Sequence, residues 1–171
     1  MSIDRTAFRA AMSRLGASVN LITTDGPAGR YGMIASAVCS VTDDPPTVLV
    51  CINRSSSSYR TIRANRVLCV NVLAADHEPL SRRFSDPNLS VEDRFAAMGQ
   101  WTSLVTGSPA LHGASVALDC KVTAARNVGT HCVFFCEVAD AHLAGTAQAL
   151  IYFDRTYHPL TAWQAPAADA Y

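Results

Sequence analysis

Residues 53–58, Asn-Arg-Ser-Ser-Ser-Ser, hold a dense set of groups able to grip an anion. Asn53 supplies an amide, Ser55, Ser56, Ser57 and Ser58 supply hydroxyls, and Arg54 supplies a permanent cation whose planar fork matches phosphate oxygens. The loop leads directly into a helical pattern that begins at Tyr59. The first turn of a helix leaves about four backbone N–H groups unpaired, and the helix dipole places partial positive charge at the same end. A phosphate is therefore favoured at this junction. A solvated turn with serine caps has the same composition, so the loop alone leaves both readings open.

Three further stretches could carry chemistry. In residues 32–38, GMIASAV, the small side chains of Ala35, Ser36 and Ala37 let a flat ligand come close to backbone N–H and C=O groups, although small residues also pack ordinary barrels. Gly129-Thr130-His131 reads as a turn that opens a strand; a lone histidine in such a place is commonly a surface residue. Residues 150–158 cluster Tyr152, Phe153, Tyr157 and His158 around the cation of Arg155, which a core strand with one surface arginine would also give. The sequence has no GxGxxG fingerprint, Walker loop, HExxH or GxSxG motif. His77 and Glu78 are adjacent, but no second ligand follows at zinc-like spacing, and no metal is expected.

The elements that must position these stretches are short. Residues 3–15 place Phe8, Ala11, Met12 and Leu15 at helical spacing, with Gly16 as the stop. Strands are expected at 18–24, 31–41, 47–52 and 67–73, with turns at 25–29 and 42–46 and a short helix at 60–65. The continuous apolar run at 48–52 predicts a strand covered on both faces. Residues 74–113 are mixed, with helical patterns at 78–84 and 90–98. Strands return at 115–126, 131–142, 149–153 and 157–160. About seven strands without regular βα alternation predict an antiparallel barrel. One domain over residues 1–163 is expected, followed by an Ala- and Pro-rich tail at 164–171.

Composition narrows the functional classes. Fourteen basic residues balance fourteen acidic ones, so no net field steers nucleic acid or an anionic membrane to this chain. Hydrophobic residues make up 49% and charged residues 16%, which predicts apolar surface covered by a partner subunit. Charges interrupt residues 1–16 before any signal-like apolar run, and no run approaches the roughly 18 residues of a membrane span. A cytoplasmic protein is expected. All six cysteines lie in strand-like apolar segments without a CxxC pair, which predicts buried reduced thiols.

Taken together, residues 8–57, LCVNVL at 68–73, EPLSRRF at 78–84, Arg94-Phe95, Gly129-Thr130-His131 and LIYFDRTYHPL at 150–160 resemble the short-chain NAD(P)H:flavin oxidoreductases. These are the reductase partners of two-component flavin-dependent monooxygenases. The stretch 8–57 is especially similar to the reductases of the uracil-degrading and 4-hydroxyphenylacetate 3-monooxygenase systems. The resemblance implies a mainly β fold, a split β-barrel of the Greek-key, FMN-binding type with a few short helices, and a homodimer. It implies FMN or FAD as flavin, NADH or NADPH as reductant, and a monooxygenase that receives the reduced flavin.

By position, the resemblance implies that Met33, Ile34, Ala35, Ser36, Cys39 and Ser40 line the flavin ring and ribityl chain. It implies that Asn53, Arg54, Ser55, Ser56 and Ser57 hold the phosphate, and that Phe84 lies near the flavin. His131, Tyr152 and Arg155 match the part of the pattern tied to the nicotinamide nucleotide, with His131 positioning it rather than donating a proton. Ile34 stands where many relatives have threonine, which removes one hydroxyl contact. Two other readings are a reductase that relays electrons through bound flavin to a metal or corrinoid acceptor, and a flavin carrier without nicotinamide chemistry.

Overall fold

The computed structural model describes residues 3–96, 101–145 and 148–161. It begins with α1 (Arg5–Met12), capped by the Asp4 carboxylate, which accepts from the N–H groups of Thr6 and Ala7 at 2.8 and 2.9 Å. The chain continues through β1 (Ala17–Ser18), β2 (Asn20–Thr24), β3 (Tyr31–Ala35), β4 (Val38–Asp43), β5 (Pro46–Asn53), α2 (Ser57–Asn65) and β6 (Val67–Val72). A 3-10 turn at Ala75–His77 precedes α3 (Glu78–Ser85) and α4 (Val91–Ala96). Then come β7 (Trp101–Ser103), β8 (Pro109–Leu111), the long pair β9 (Val116–Val128) and β10 (His131–Leu143), β11 (Gln148–Phe153) and β12 (Thr156–Thr161). The expected tail at 164–171 and the domain end at 163 lie outside the described residues, as do the last residues of the helix expected at 90–98.

Seven strands form one antiparallel sheet in the order β3-β2-β6-β9-β10-β5-β4. Its two edge strands, β3 and β4, are consecutive in the chain and separated only by Ser36 and Ala37. A flat sheet of seven strands at about 4.8 Å spacing would set its edges about 29 Å apart, whereas that link reaches at most about 11 Å. The sheet must therefore curl until its edges meet at this corner, giving a barrel that is split rather than closed by a ladder. The single strand expected at 31–41 is thus two strands on opposite edges, a break that local periodicity cannot show.

A second corner divides the strand expected at 18–24. β1 pairs with β11 in a small sheet of order β1-β11-β12, while β2 stays in the large sheet. Val19 sits at the junction, donating its N–H to Leu150 and accepting from Leu73, whose own carbonyl accepts from Leu150. Three remote segments are tied here by backbone bonds, and the side chains of Val19, Leu73 and Leu150 share one apolar core. The β7–β8 hairpin is a further departure from the expected organisation, since residues 101–111 show no strand alternation.

The curled sheet encloses Ile22, Val50, Ile52, Leu68, Val70 and Phe134, and α2 closes one end with Tyr59 and Ile62. A second core, under α3 and α4, joins Leu21, Leu73, Leu80, Phe84, Phe95 and Leu150. β2 feeds both, Ile22 facing one and Leu21 the other. β5 corrects an expectation. Val48, Val50 and Ile52 are buried, but Thr47, Leu49 and Cys51 on its other face are only half-buried in the single chain. The cysteines are all free thiols. Cys69, Cys120, Cys132 and Cys136 are buried, Cys51 is half-buried, and Cys39 is exposed, contrary to the expectation of six buried thiols. Burial pushes the Cys136 thiol up to about 12, which keeps it protonated and inert.

Candidate functional site

The loop at 53–58 is held from both ends. Asn53 closes β5, and its amide oxygen accepts from the N–H and hydroxyl of Ser55 at 3.0 and 2.9 Å. Ser56 is the N-cap of α2: its hydroxyl accepts from the Tyr59 N–H at 3.3 Å and donates to the Asn53 carbonyl at 2.7 Å. Ser58 is buried and shares a hydrogen bond of 2.8 Å with Ser56. The serines therefore divide their work. Ser56 and Ser58 build the helix start, while Asn53, Arg54 and Ser55 line an open cavity of about 660 Å³.

The opposite wall of that cavity is the 129–131 turn. β5 and β10 run antiparallel with Asn53 opposite His131, so strand register brings together two motifs far apart in sequence. The Arg54 N–H donates to the Thr130 carbonyl at 3.0 Å, and its guanidinium donates to the Gly129 carbonyl at 3.3 Å. Gly129 adopts φ 52, a left-handed conformation that glycine reaches without strain. The Thr130 hydroxyl meets His131 Nδ1 at 2.9 Å, which fixes the imidazole plane beside the cavity.

The third wall was not expected from the sequence. α1 contributes Arg5, Phe8 and Arg9, so three arginines surround this cavity, and among the described residues no carboxylate lines it. Arg5 and Arg9, at i, i+4 spacing, form a stripe along one face of α1. What covers that stripe depends on how α1 docks, which the sequence does not encode locally.

A second cavity, about 440 Å³, gathers Ser36 from the corner between β3 and β4, Tyr152 and Arg155 from the β11–β12 hairpin, and Arg9, Met12, Ser13 and Leu15 from the helix and its exit. Arg9 lines both cavities. Asp154 and Arg155 form the hairpin's two-residue turn with φ 44 and 64, the paired left-handed geometry that favours Asn-Gly. A bulky arginine held in that conformation costs about 1–2 kcal/mol, which points to use of its side chain. The Asp154 N–H donates to the Ser13 carbonyl at 2.7 Å, and Arg14 pairs with Asp154 at 3.3 Å, tying the exit of α1 to this turn.

The remaining sequence-selected residues do not line these cavities. Met33 and Ile34 are half-buried on β3, Ala35 is buried in the barrel core, and Cys39 and Ser40 are exposed on the edge strand β4. Ser57 is exposed at the start of α2. Phe84 is 3% exposed and packs edge-on against Phe95 and Trp101 behind Gly32 at centroid distances of 5.1 and 6.1 Å. Three arginines that line neither cavity are already engaged. Arg30 pairs with Asp25, Arg82 with Glu78, and Arg83 with the Asp93 carbonyl.

Residues 12–161 match the family of Flavin reductase like domains. The chain belongs to that family. A curated relative, FMN reductase (NADH) RutF of Variovorax paradoxus, is 55% identical over 94% of this chain and 88% of its own length. The NADH:FAD oxidoreductase SgcE6 of Streptomyces globisporus, solved in complex with NAD and FAD fragments, superposes at a TM-score of 0.84 with 26% identity over 97% of this chain and 96% of that one. The nitrilotriacetate monooxygenase component B from Mycobacterium thermoresistibile superposes at 0.85 with 26% identity over 98% and 96%. Family membership thus agrees with the split barrel and with the resemblance carried by the motifs. No described helix of this flavin reductase-like chain is long and apolar enough to cross a membrane.

Proposed function

We infer that this chain is an NADH-dependent flavin reductase that supplies reduced flavin to a separate flavin-dependent oxygenase. The observation that carries this reading is the meeting of residues 53–55 and 129–131 around one cationic cavity, next to a second cavity holding Ser36, Tyr152 and Arg155. Three guanidinium groups that face no carboxylate among the described residues suit a phosphate, so the residues present fit a phosphorylated flavin. The Variovorax relative makes FMN with NADH the first pair to test, and the Mycobacterium neighbour, a monooxygenase component, supports an oxygenase as recipient.

In this reading Asn53, Arg54 and Ser55 hold the phosphate, and Ser56 and Ser57 keep the start of α2 in place behind it. The small corner at Ala35-Ser36 leaves backbone accessible to a flat ring, with Met33 and Ile34 supporting β3 and Cys39 and Ser40 flanking the ribityl chain. Phe84 acts from behind, fixing Gly32 and hence the line of β3. His131, Tyr152 and Arg155 orient the nicotinamide nucleotide. The bound flavin supplies an acceptor for the nicotinamide hydride, and the cofactors carry that chemistry. The protein supplies alignment, which for well-oriented reactants lowers a barrier by up to about 7–11 kcal/mol. No residue needs to act as an acid.

A homodimer is the assembly this reading favours. Leu49, Cys51, Val133 and Phe135 lie on one face of the β5–β10 pair, with Leu49 opposite Phe135 and Cys51 opposite Val133, and all four are half-exposed in the single chain. A second copy would cover that apolar row.

Anaerobic stopped-flow mixing of the protein with FMN or FAD and with NADH or NADPH tests the activity. Rapid bleaching of the flavin's visible band with FMN and NADH is the expected result. Flavin that binds but is bleached by neither nucleotide would leave a carrier as the better reading. The strained turn gives a separate expectation. Arg155→Gly should raise the KM for NADH about tenfold, the effect of losing one ionic contact to a phosphate. Because glycine relieves the left-handed strain, the same variant should unfold no more easily than wild type. A lower Tm together with an unchanged KM would contradict this assignment.

A further inference from the structure

α1 has an unusual relation to the molecule: none of its residues is buried, yet Arg5, Phe8 and Arg9 form a wall of the larger cavity. Its apolar residues do not explain its placement, because Phe8 is 52% and Met12 45% exposed. Among the described residues neither Arg5 nor Arg9 makes an ion pair, although Asp4 and Asp154 lie at the two ends of the segment. Two unpaired cations directed at a cavity that already contains Arg54 repel one another. Such an arrangement is favourable once an anion sits among them.

We propose that Arg9, assisted by Arg5, completes the flavin phosphate site from α1 and makes the protein discriminate FMN from flavin lacking the phosphate. The proposal rests on the flavin reductase reading and deepens it. Arg54 and Ser55 grip the phosphate from the barrel side, and Arg9 closes over it from the helix side. Arg9 also lines the cavity of Ser36, Tyr152 and Arg155, so the same guanidinium stands between the phosphate end of the site and the region assigned to the nicotinamide nucleotide. Arg5, one turn earlier on the same helix face, adds a second cation at the outer rim.

Equilibrium binding of FMN and of riboflavin, followed by quenching of flavin fluorescence without any reductant, tests the proposal independently of turnover. Gln matches Arg in helix propensity, so Arg9→Gln leaves α1 intact while removing the charge. FMN binding is expected to weaken about tenfold in Arg9→Gln and about 50-fold in the Arg5→Gln/Arg9→Gln pair, with riboflavin binding unchanged. Arg9→Lys should recover to within about threefold of wild type, since the charge remains without the planar fork. Equal weakening of FMN and riboflavin would show that α1 acts only as a structural wall and would overturn the proposal. So would unchanged FMN binding in the double variant. Failure of the reductase reading would look different, with normal flavin discrimination but no bleaching by NADH; a wild-type protein that binds neither flavin would overturn both.

Discussion

An Arg54→Ala variant is expected to bind FMN about 10- to 100-fold more weakly, the effect of losing a bidentate charge-assisted contact. The same variant should unfold at nearly the wild-type temperature. Arg54 is exposed, and its side chain makes one hydrogen bond of 3.3 Å, to the Gly129 carbonyl, worth about 1 kcal/mol or less. Its backbone N–H, which holds the 129–131 turn through Thr130, survives the substitution. Binding and stability therefore separate at this position. Titration of FMN alongside a thermal melt reads both at once, and a large fall in Tm with unaltered FMN affinity would assign Arg54 to the turn and not to the ligand. Arg54→Lys should fall between, because an ammonium keeps the charge but not the fork.

Gly32→Ala is expected to destabilise the fold by about 3 kcal/mol, which for a chain of this size lowers Tm by about 6–12 °C. A β-carbon at Gly32 would lie 2.4 Å from Phe84 Cε1, 2.9 Å from Cδ1 and 3.2 Å from Phe95 Cζ. These rings cannot step aside easily, since Phe84, Phe95 and Trp101 pack mutually, Phe95 and Trp101 at 4.9 Å. The strand would have to move instead, and it carries Met33 to Ala35 toward the corner at Ser36. Shrinking the opposing ring should relieve the clash. Phe84→Leu costs stability alone, yet in the Gly32→Ala background it should recover about 1–2 kcal/mol, the coupling expected of residues in contact. Strictly additive losses in the four-member cycle measured by denaturant melts would show that the two positions do not press on each other.

Local pattern reading found much of this architecture and missed a specific kind of event. β5, β6 and the helix at α2 were legible because their signals are local: an apolar run between turn residues, or a serine cap ahead of a 3.6-residue period. The divisions at Val19 and at Ser36-Ala37 were not. At both places the chain stays extended in sequence terms while changing its sheet or its edge, and only the partners across the ladder reveal the change. The half-covered outer face of β5 failed for a related reason, since an apolar run does not record which of its faces the chain itself covers. In the site, the anion-binding composition of residues 53–55 was legible, and family likeness pointed to 129–131. Their adjacency came from register alone. The arginines of α1 stayed hidden because a charged stripe on an exposed helix looks like ordinary solvated surface until something is seen beneath it.

The shallow seating of α1 bears on how long a product stays. A segment without buried side chains, joined at its exit by one backbone hydrogen bond and one exposed ion pair, has little of the molecule's cooperativity behind it. Its amides are expected to exchange fast, opening many times while the barrel's ladders remain shut. A molecule held between this helix and the sheet therefore has an exit that leaves the barrel core intact. In the proposed reading, where reduced flavin passes to a separate oxygenase, residence time is set at the eight residues of this helix, and the rest of the fold is free to be rigid.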